Sequence, residues 1–112
     1  MKDKVIVLGS AGLIGHQVYN FLKDCGDYEM FNFSHKNQFQ CDTILLNARD
    51  EKVFLNKIIS IRPKYIINCI GVLINGSNAN PEDSIFLNAY MPHRLAGLAD
   101  KINAKLIHIS TD

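Results

Sequence analysis

The chain has no tryptophan, only three cysteines and three prolines in 112 residues, and each scarcity excludes something. Cys25, Cys41 and Cys69 are odd in number and form no Cys-x-x-Cys pair, which removes a disulfide framework and a cysteine-based zinc site. His16, His35, His93 and His108 show no metal-ligand spacing, so no metal site is expected. The cysteines read as plain reduced thiols. No stretch approaches the roughly 20 consecutive apolar residues of a membrane span. Met1-Lys2-Asp3-Lys4 leads into only the short apolar run Val5 to Leu8, too little for a secretory signal. The expected location is therefore the cytoplasm, with no membrane partner. Charge of one sign is lacking too. Twelve basic residues against eleven acidic ones leave a formal +1, scattered as on a solvated surface, so nothing points to nucleic acid.

What is present is the pattern of one α/β domain spanning 1–112. Val5-Ile6-Val7-Leu8 is a short β-branched run halted by Gly9, the mark of a strand buried on both faces. Ile14, Val18, Phe21, Leu22 and Cys25 then recur at helical spacing, with Gly26 as the stop signal. Strands are predicted at Glu29–Phe33, Thr43–Leu46, Tyr65–Ile70 and Lys105–Ile109. A helix is predicted from Asp50 to Ile61, with Phe54, Leu55, Ile58, Ile59 and Ile61 as its apolar face and Pro63 preventing continuation. Asn80-Pro81-Glu82-Asp83 starts another helix, running to about Ile102 and bent or broken near Pro92. Strands alternating with helices imply a Rossmann-type three-layer α/β/α fold. Its five-stranded parallel sheet would have the order 3-2-1-4-5.

The chemistry concentrates in Gly9-Ser10-Ala11-Gly12-Leu13-Ile14-Gly15. A glycine-rich turn between first strand and first helix sets backbone N–H groups and a helix N-terminus against a pair of phosphates. The G-x-x-G-x-x-G string is weak alone. Its place directly after a strand and directly before an amphipathic helix supplies the confirming context.

The 3-3 glycine spacing resembles that of the extended short-chain dehydrogenases/reductases. Asn68-Cys69-Ile70-Gly71 is similar to the cofactor-lining end of the fourth strand in that superfamily, and Asn88-Ala89 to its N-A pair. His108-Ile109-Ser110-Thr111-Asp112 resembles the H-x-S-T-D segment of the RmlD-type branch, the dTDP-4-dehydrorhamnose reductases and related nucleotide-sugar reductases of surface-polysaccharide synthesis. The resemblance covers only the N-terminal, cofactor-binding part of such a chain. It implies a nicotinamide dinucleotide as ligand and, in a complete enzyme, a 4-keto nucleotide sugar as substrate.

Gly9, Ser10, Gly12 and Gly15 match the pyrophosphate loop, and Leu13 and Ile14 the start of its helix. Cys69, Ile70 and Gly71 would line the cofactor, and Thr111 would supply the catalytic hydroxyl to the substrate carbonyl. Asn88 is either an active-site polar group or a satisfied amide within a helix. Asn47 stands where the family often has an acid contacting adenine, but with Asp50 three residues on it also reads as a helix N-cap. Asn68 reads either as a cofactor contact or as a strand-end residue bonding local backbone.

Cofactor choice turns on the end of the second strand, where an acid binds a ribose 2′-OH and a basic group a 2′-phosphate. Ser34, His35 and Lys36 stand there, with no acid between Glu29 and Asp42. NADP(H) is expected over NAD(H).

The superfamily's catalytic Tyr-x-x-x-Lys would lie downstream of Asp112. The string does occur at Tyr19 to Lys23, but on the helix after the glycine loop, where it does not face a nicotinamide. The chain as given is thus expected to be a truncated reductase, inactive alone. The alternatives are a stand-alone NAD(P)-binding or redox-sensing module, or a subunit completed by a partner chain. The last strand, Lys105 to Ile109, is expected to be an open edge that allows self-association.

Overall fold

The computed structural model describes residues 2–10, 12–35, 42–47, 50–70 and 90–109, without the side chain of Leu13. Five strands alternate with helices: β1 (Asp3–Leu8), α1 (Leu13–Cys25), β2 (Tyr28–Ser34), β3 (Ile44–Leu45), α2 (Glu51–Ile61), β4 (Tyr65–Asn68), α3 (Met91–Lys101) and β5 (Lys105–His108). All four strand pairings are parallel, and the order is β3-β2-β1-β4-β5. This is the expected Rossmann-type arrangement.

Alternation along β1 builds the two faces of the sheet. Ile6 and Leu8 point to one side and join Phe33, Ile66 and the apolar faces of α2 and α3, including Phe54, Ile58, Met91 and Leu95. Val5 and Val7 point to the other and join Ile67, Cys69 and Tyr19 of α1. A strand covered on both sides has no polar position to spare, which is why residues 5–8 read as a continuous apolar run. The Phe33 and Phe54 rings meet edge to face with centroids 5.9 Å apart and fix α2 against β2. At the N-terminal ends of α2 and α3, Glu51 accepts hydrogen bonds from the Tyr90 hydroxyl at 3.1 Å and from Arg94 Nε at 2.5 Å. That hydrogen bond and the Glu51 charge push the exposed Arg94 guanidinium above its ordinary pKa.

Several boundaries and faces differ from the sequence expectation. β2 extends one residue further at each end, while β3 is reduced to Ile44 and Leu45. β4 stops at Asn68 and β5 at His108, yet single backbone bonds continue both: Cys69 N–H to Leu8 O and Ile109 N–H to Asn68 O, each 3.0 Å. On α1, Phe21 is 70% exposed and Cys25 is exposed, whereas Tyr19 is fully buried. The buried stripe is rotated toward Gly15 and Tyr19, with Gly15 set directly against the turn at Gly9 and Ser10. A glycine adds nothing to an apolar pattern, so the pattern alone places the stripe too far toward Phe21. On α2, Ile59 is 41% exposed and leaves the core to Phe54, Leu55, Ile58 and Ile61.

Asn47 is not the cap of α2. That position belongs to Asp50, whose N–H donates to Asn47 O at 2.9 Å and closes a turn ahead of the helix. Pro92 lies in the first turn of α3, where a missing N–H breaks no helical bond; the predicted start at Asn80 lies outside the described residues. No described helix is long and apolar enough to cross a membrane.

Candidate functional site

The glycine loop leaves β1 at the point where the strand order reverses, between β2 on one side and β4 on the other. Such a crevice, at the carboxyl end of a parallel sheet, is where this architecture takes ligands. Gly9 turns the chain with φ +77°, a conformation that L side chains rarely adopt. A Cβ there would also lie 3.0 Å from the carbonyl carbon of Cys69 and 3.1 Å from Ile70 N. The loop therefore rests directly on the end of β4. Gly9 and Ser10 both donate their N–H to Phe33 O, at 2.9 and 3.0 Å, which hangs the turn on β2 as well. Gly15 is required for a different reason: a Cβ would come within 2.1 Å of Gly9 O.

Gly12 behaves otherwise. It is exposed, with ordinary dihedrals (φ −76°, ψ 170°). The nearest atom to an added Cβ is Gly9 O, at 3.4 Å. The fold does not need a glycine here. Gly12 is also the N-cap of α1, a helix that opens with no side-chain cap and no acid in its first turn. Its positive end thus has no carboxylate of its own first turn beside it.

The remaining sequence candidates fall along the same edge. Ser34 ends β2, buried, with its carbonyl accepting the Leu46 N–H at 2.9 Å, and His35 beyond it is exposed. Asn47 follows β3 and is exposed. Cys69 is buried, and burial pushes its thiol up to about 11, so it stays neutral and acts as packing, not as a nucleophile. Ile70 is half-buried beside Gly9, and Leu13 and Ile14 begin α1. The structure thus gathers Gly9, Ser10, Gly12, Leu13, Ile14, Gly15, Ser34, His35, Asn47, Cys69 and Ile70 at the carboxyl ends of β1 to β4. Lys36, Gly71, Asn88 and Thr111 lie outside the described residues.

Asn68 is turned inward. The Ile70 N–H donates to its Oδ1 at 3.1 Å, which leaves Nδ2 to donate to His108 Nδ1, also at 3.1 Å. His108 Nδ1 is the acceptor in this contact, since the amide nitrogen can only donate. The strand-end reading of Asn68 describes its two bonds, which tie the ends of β4 and β5 together.

Tyr19 is likewise spoken for. Its hydroxyl donates to Asp42 Oδ2 at 3.2 Å, and Lys23 Nζ stands 5.5 Å from its ring centroid. Burial and the Asp42 charge raise the phenol above its ordinary pKa, against a smaller lowering by Lys23. A proton-transferring tyrosine needs the opposite shift, so Tyr19 and Lys23 are a structural pair.

The sequence reading missed Asn32 and Asp42. Asn32 is fully buried in β2; its Oδ1 accepts from Ser10 Oγ at 3.0 Å and its Nδ2 donates to Asp42 Oδ1 at 3.4 Å. The available signal was an amide in the otherwise apolar run Met30-Phe31-Asn32-Phe33, since a buried amide demands partners.

A parallel sheet that reverses its order beside the central strand, with a glycine-rich turn at the reversal, defines a Rossmann-type domain. More narrowly, the chain belongs to the NAD dependent epimerase/dehydratase family, whose profile matches residues 5–112. It is similar in fold to a hypothetical dTDP-4-dehydrorhamnose reductase from Sulfolobus tokodaii, with TM-score 0.82 and 21% identity over 98% of this chain and 39% of that one. L-threonine 3-dehydrogenase from Trypanosoma brucei superposes with TM-score 0.80 at 15% identity, over 96% of this chain and 36% of the other. The Bordetella bronchiseptica enzyme WbmG, whose crystals hold NAD and UDP, gives TM-score 0.76 at 12% identity, over 96% of this chain and 37% of that protein. The chain thus spans under two-fifths of the length of these structures. Among curated protein sequences none matches it.

Proposed function

We propose that the chain is the NADP(H)-binding portion of a reductase acting on a 4-keto nucleotide sugar. The observation that carries the binding half is Gly12: a glycine that the fold leaves room to replace, at the uncapped start of α1. Backbone left bare there serves a ligand that must come close, and the positive helix end suits a pyrophosphate. Gly9, Ser10 and Gly15 shape the cradle, Leu13 and Ile14 contribute N–H groups at the helix start, and Cys69 and Ile70 form the wall on the β4 side. Gly71 and Asn88 are assigned to the cofactor on the family resemblance alone, and Asn47 to the adenine side. The nicotinamide, when bound, supplies the hydride; Thr111 is assigned the hydroxyl that polarises the substrate carbonyl.

The preference for NADP(H) is supported by the exposed His35 after β2, by Lys36 following it, and by the lack of any acid between Glu29 and Asp42. Asp42 itself is occupied by Tyr19 and Asn32. Calorimetric titration is expected to give NADPH an affinity about fivefold or more above that of NADH, as one partly exposed ion pair would allow. Lys36→Ala is expected to narrow the gap. Equal affinities, or tighter NADH, would sink the NADP reading. Oxidation of bound NADPH by 4-keto nucleotide sugars, in the chain extended through its downstream segment, tests the substrate; a Thr111→Val variant that turns over as fast as wild type would remove Thr111 from the mechanism.

A second copy of the chain is the partner supported by the sheet edge. β5 pairs only with β4 among the described residues, and Ile107 on it is 47% exposed. An open parallel edge is a template for another strand. Sedimentation velocity is expected to show mass rising with concentration for this chain, and a single monomeric boundary at high concentration would refute it.

A further inference from the structure

The loop that cradles the phosphates does not hold its shape unaided. Ser10 is fully buried, and its hydroxyl proton is shared between Asn32 Oδ1 at 3.0 Å and Phe33 O at 3.2 Å. Asn32 is in turn oriented from behind. The carboxylate of Asp42 can only accept, so Nδ2 must face it at 3.4 Å and Oδ1 must face Ser10. Asp42 is itself held by the Tyr19 hydroxyl, donated from the middle of α1 at 3.2 Å. The chain of bonds leaves the loop at Ser10, crosses β2 and the segment ahead of β3, and returns to the helix that the loop opens. Both ends of the cradle are thereby referred to one amide.

β2 has no need of that amide for its own sake. Met30, Phe31 and Phe33 around Asn32 all pack apolar surface, and a valine would suit the strand better. An asparagine buried at this point is retained at a desolvation cost that only its partners offset. We infer that Asn32 is the positioning residue of the phosphate cradle, acting through Ser10 to hold the loop in its anion-accepting shape before any ligand arrives. A loop already so shaped loses little freedom on binding, and the difference appears as affinity. The inference rests on the proposal that the glycine loop binds the cofactor pyrophosphate.

The test uses ADP, the smallest adenine nucleotide with a diphosphate, titrated calorimetrically into the wild-type chain, Ser10→Ala, Asn32→Val and the double variant. Each single variant is expected to weaken ADP about 5- to 30-fold, the range for losing one buried hydrogen bond. The double variant is expected to be no weaker, within about twofold, than the weaker single one, because both act through one link. Hydrogen exchange at the Gly12 to Gly15 amides of the free protein is expected to quicken in both singles, a change that general destabilisation would spread over β1 and β4 as well. Losses that multiply in the double variant, or unchanged ADP affinity in Ser10→Ala, overturn the inference. If Asn32→Val fails to fold, Ser10→Ala decides it alone through affinity and exchange. Gly12→Val separates the two levels. ADP bound normally by Gly12→Val refutes the cradle itself, whereas ADP lost there but kept in Ser10→Ala and Asn32→Val refutes only the role of Asn32.

Discussion

Gly12→Val is expected to leave the chain folded and to remove its affinity for NADPH. Gly12 has the extended dihedrals that valine prefers (φ −76°, ψ 170°), and a Cβ there meets nothing closer than Gly9 O at 3.4 Å. The variant gives up glycine at a helix N-cap for a poorer capping residue, a loss of about 1 kcal/mol and so about 4–8 °C in Tm for a domain of this size. The effect on binding is of another order. The branched side chain stands over the start of α1, where the pyrophosphate would meet backbone N–H groups. Each charge-assisted bond displaced there is worth about 1.5–3 kcal/mol. Losing two amounts to about 100-fold or more in Kd. Circular dichroism with a thermal melt checks the first half and fluorescence titration of NADPH the second. Retained affinity would place the phosphates elsewhere.

Gly15→Ala is expected to do the reverse damage, through the fold first and binding second. Its single added methyl would lie 2.1 Å from Gly9 O, 2.9 Å from Gly9 C and 3.0 Å from the Cα of Ser10. All three are backbone atoms of the turn, and Gly9 is already pressed against Cys69 and Ile70. No flexible side chain is available to yield. Either α1 lifts from the sheet, uncovering Val7 and Tyr19, or the turn is pushed into β4. Overpacking in a core typically costs about 1–3 kcal/mol and sometimes more; with only backbone to move, the upper end applies. That corresponds to a fall in Tm of about 10 °C or more. Differential scanning calorimetry measures it. A melting temperature within about 3 °C of wild type would show that the contact of helix with turn is looser than described.

The fold demands a glycine at position 15 and leaves room for a side chain at position 12, a difference not legible in the string G-x-x-G-x-x-G. The string announces the turn because spacing and context are local. Whether a particular glycine answers to the protein or to a ligand depends on what stands beyond its Cα, and that is tertiary. The sheet order was legible, since buried parallel strands such as Val5–Leu8 and Tyr65–Asn68 write themselves as apolar runs. The face of α1 was not, because one of its buried residues, Gly15, has no side chain to register. Asn32 and Asp42 escaped because they meet ten residues apart, between β2 and the segment ahead of β3, a pairing without sequence grammar. Asn47 looked like a cap because Asp50 stands three residues on. In the fold Asp50 occupies the N-cap position, without a side-chain capping bond, and Asn47 accepts its N–H through the backbone carbonyl.

β1 is the strand on which both halves of the sheet are hung. Its residues Asp3–Leu8 pair with Tyr28–Phe33 on one edge and, from Val5 onward, with Tyr65–Asn68 on the other. During synthesis it precedes both of its partners, and one of its edges waits for a strand some sixty residues later in the chain. Until then only the half made of β1, β2 and β3 can assemble, with the apolar residues Val5 to Leu8 open along one side. Long-range parallel pairing of this kind is slow. A nascent chain held in that half-built state exposes the surface that invites association with its neighbours. The arrival of Tyr65 to Asn68 at the ribosome exit closes that window by pairing them with Val5 to Leu8.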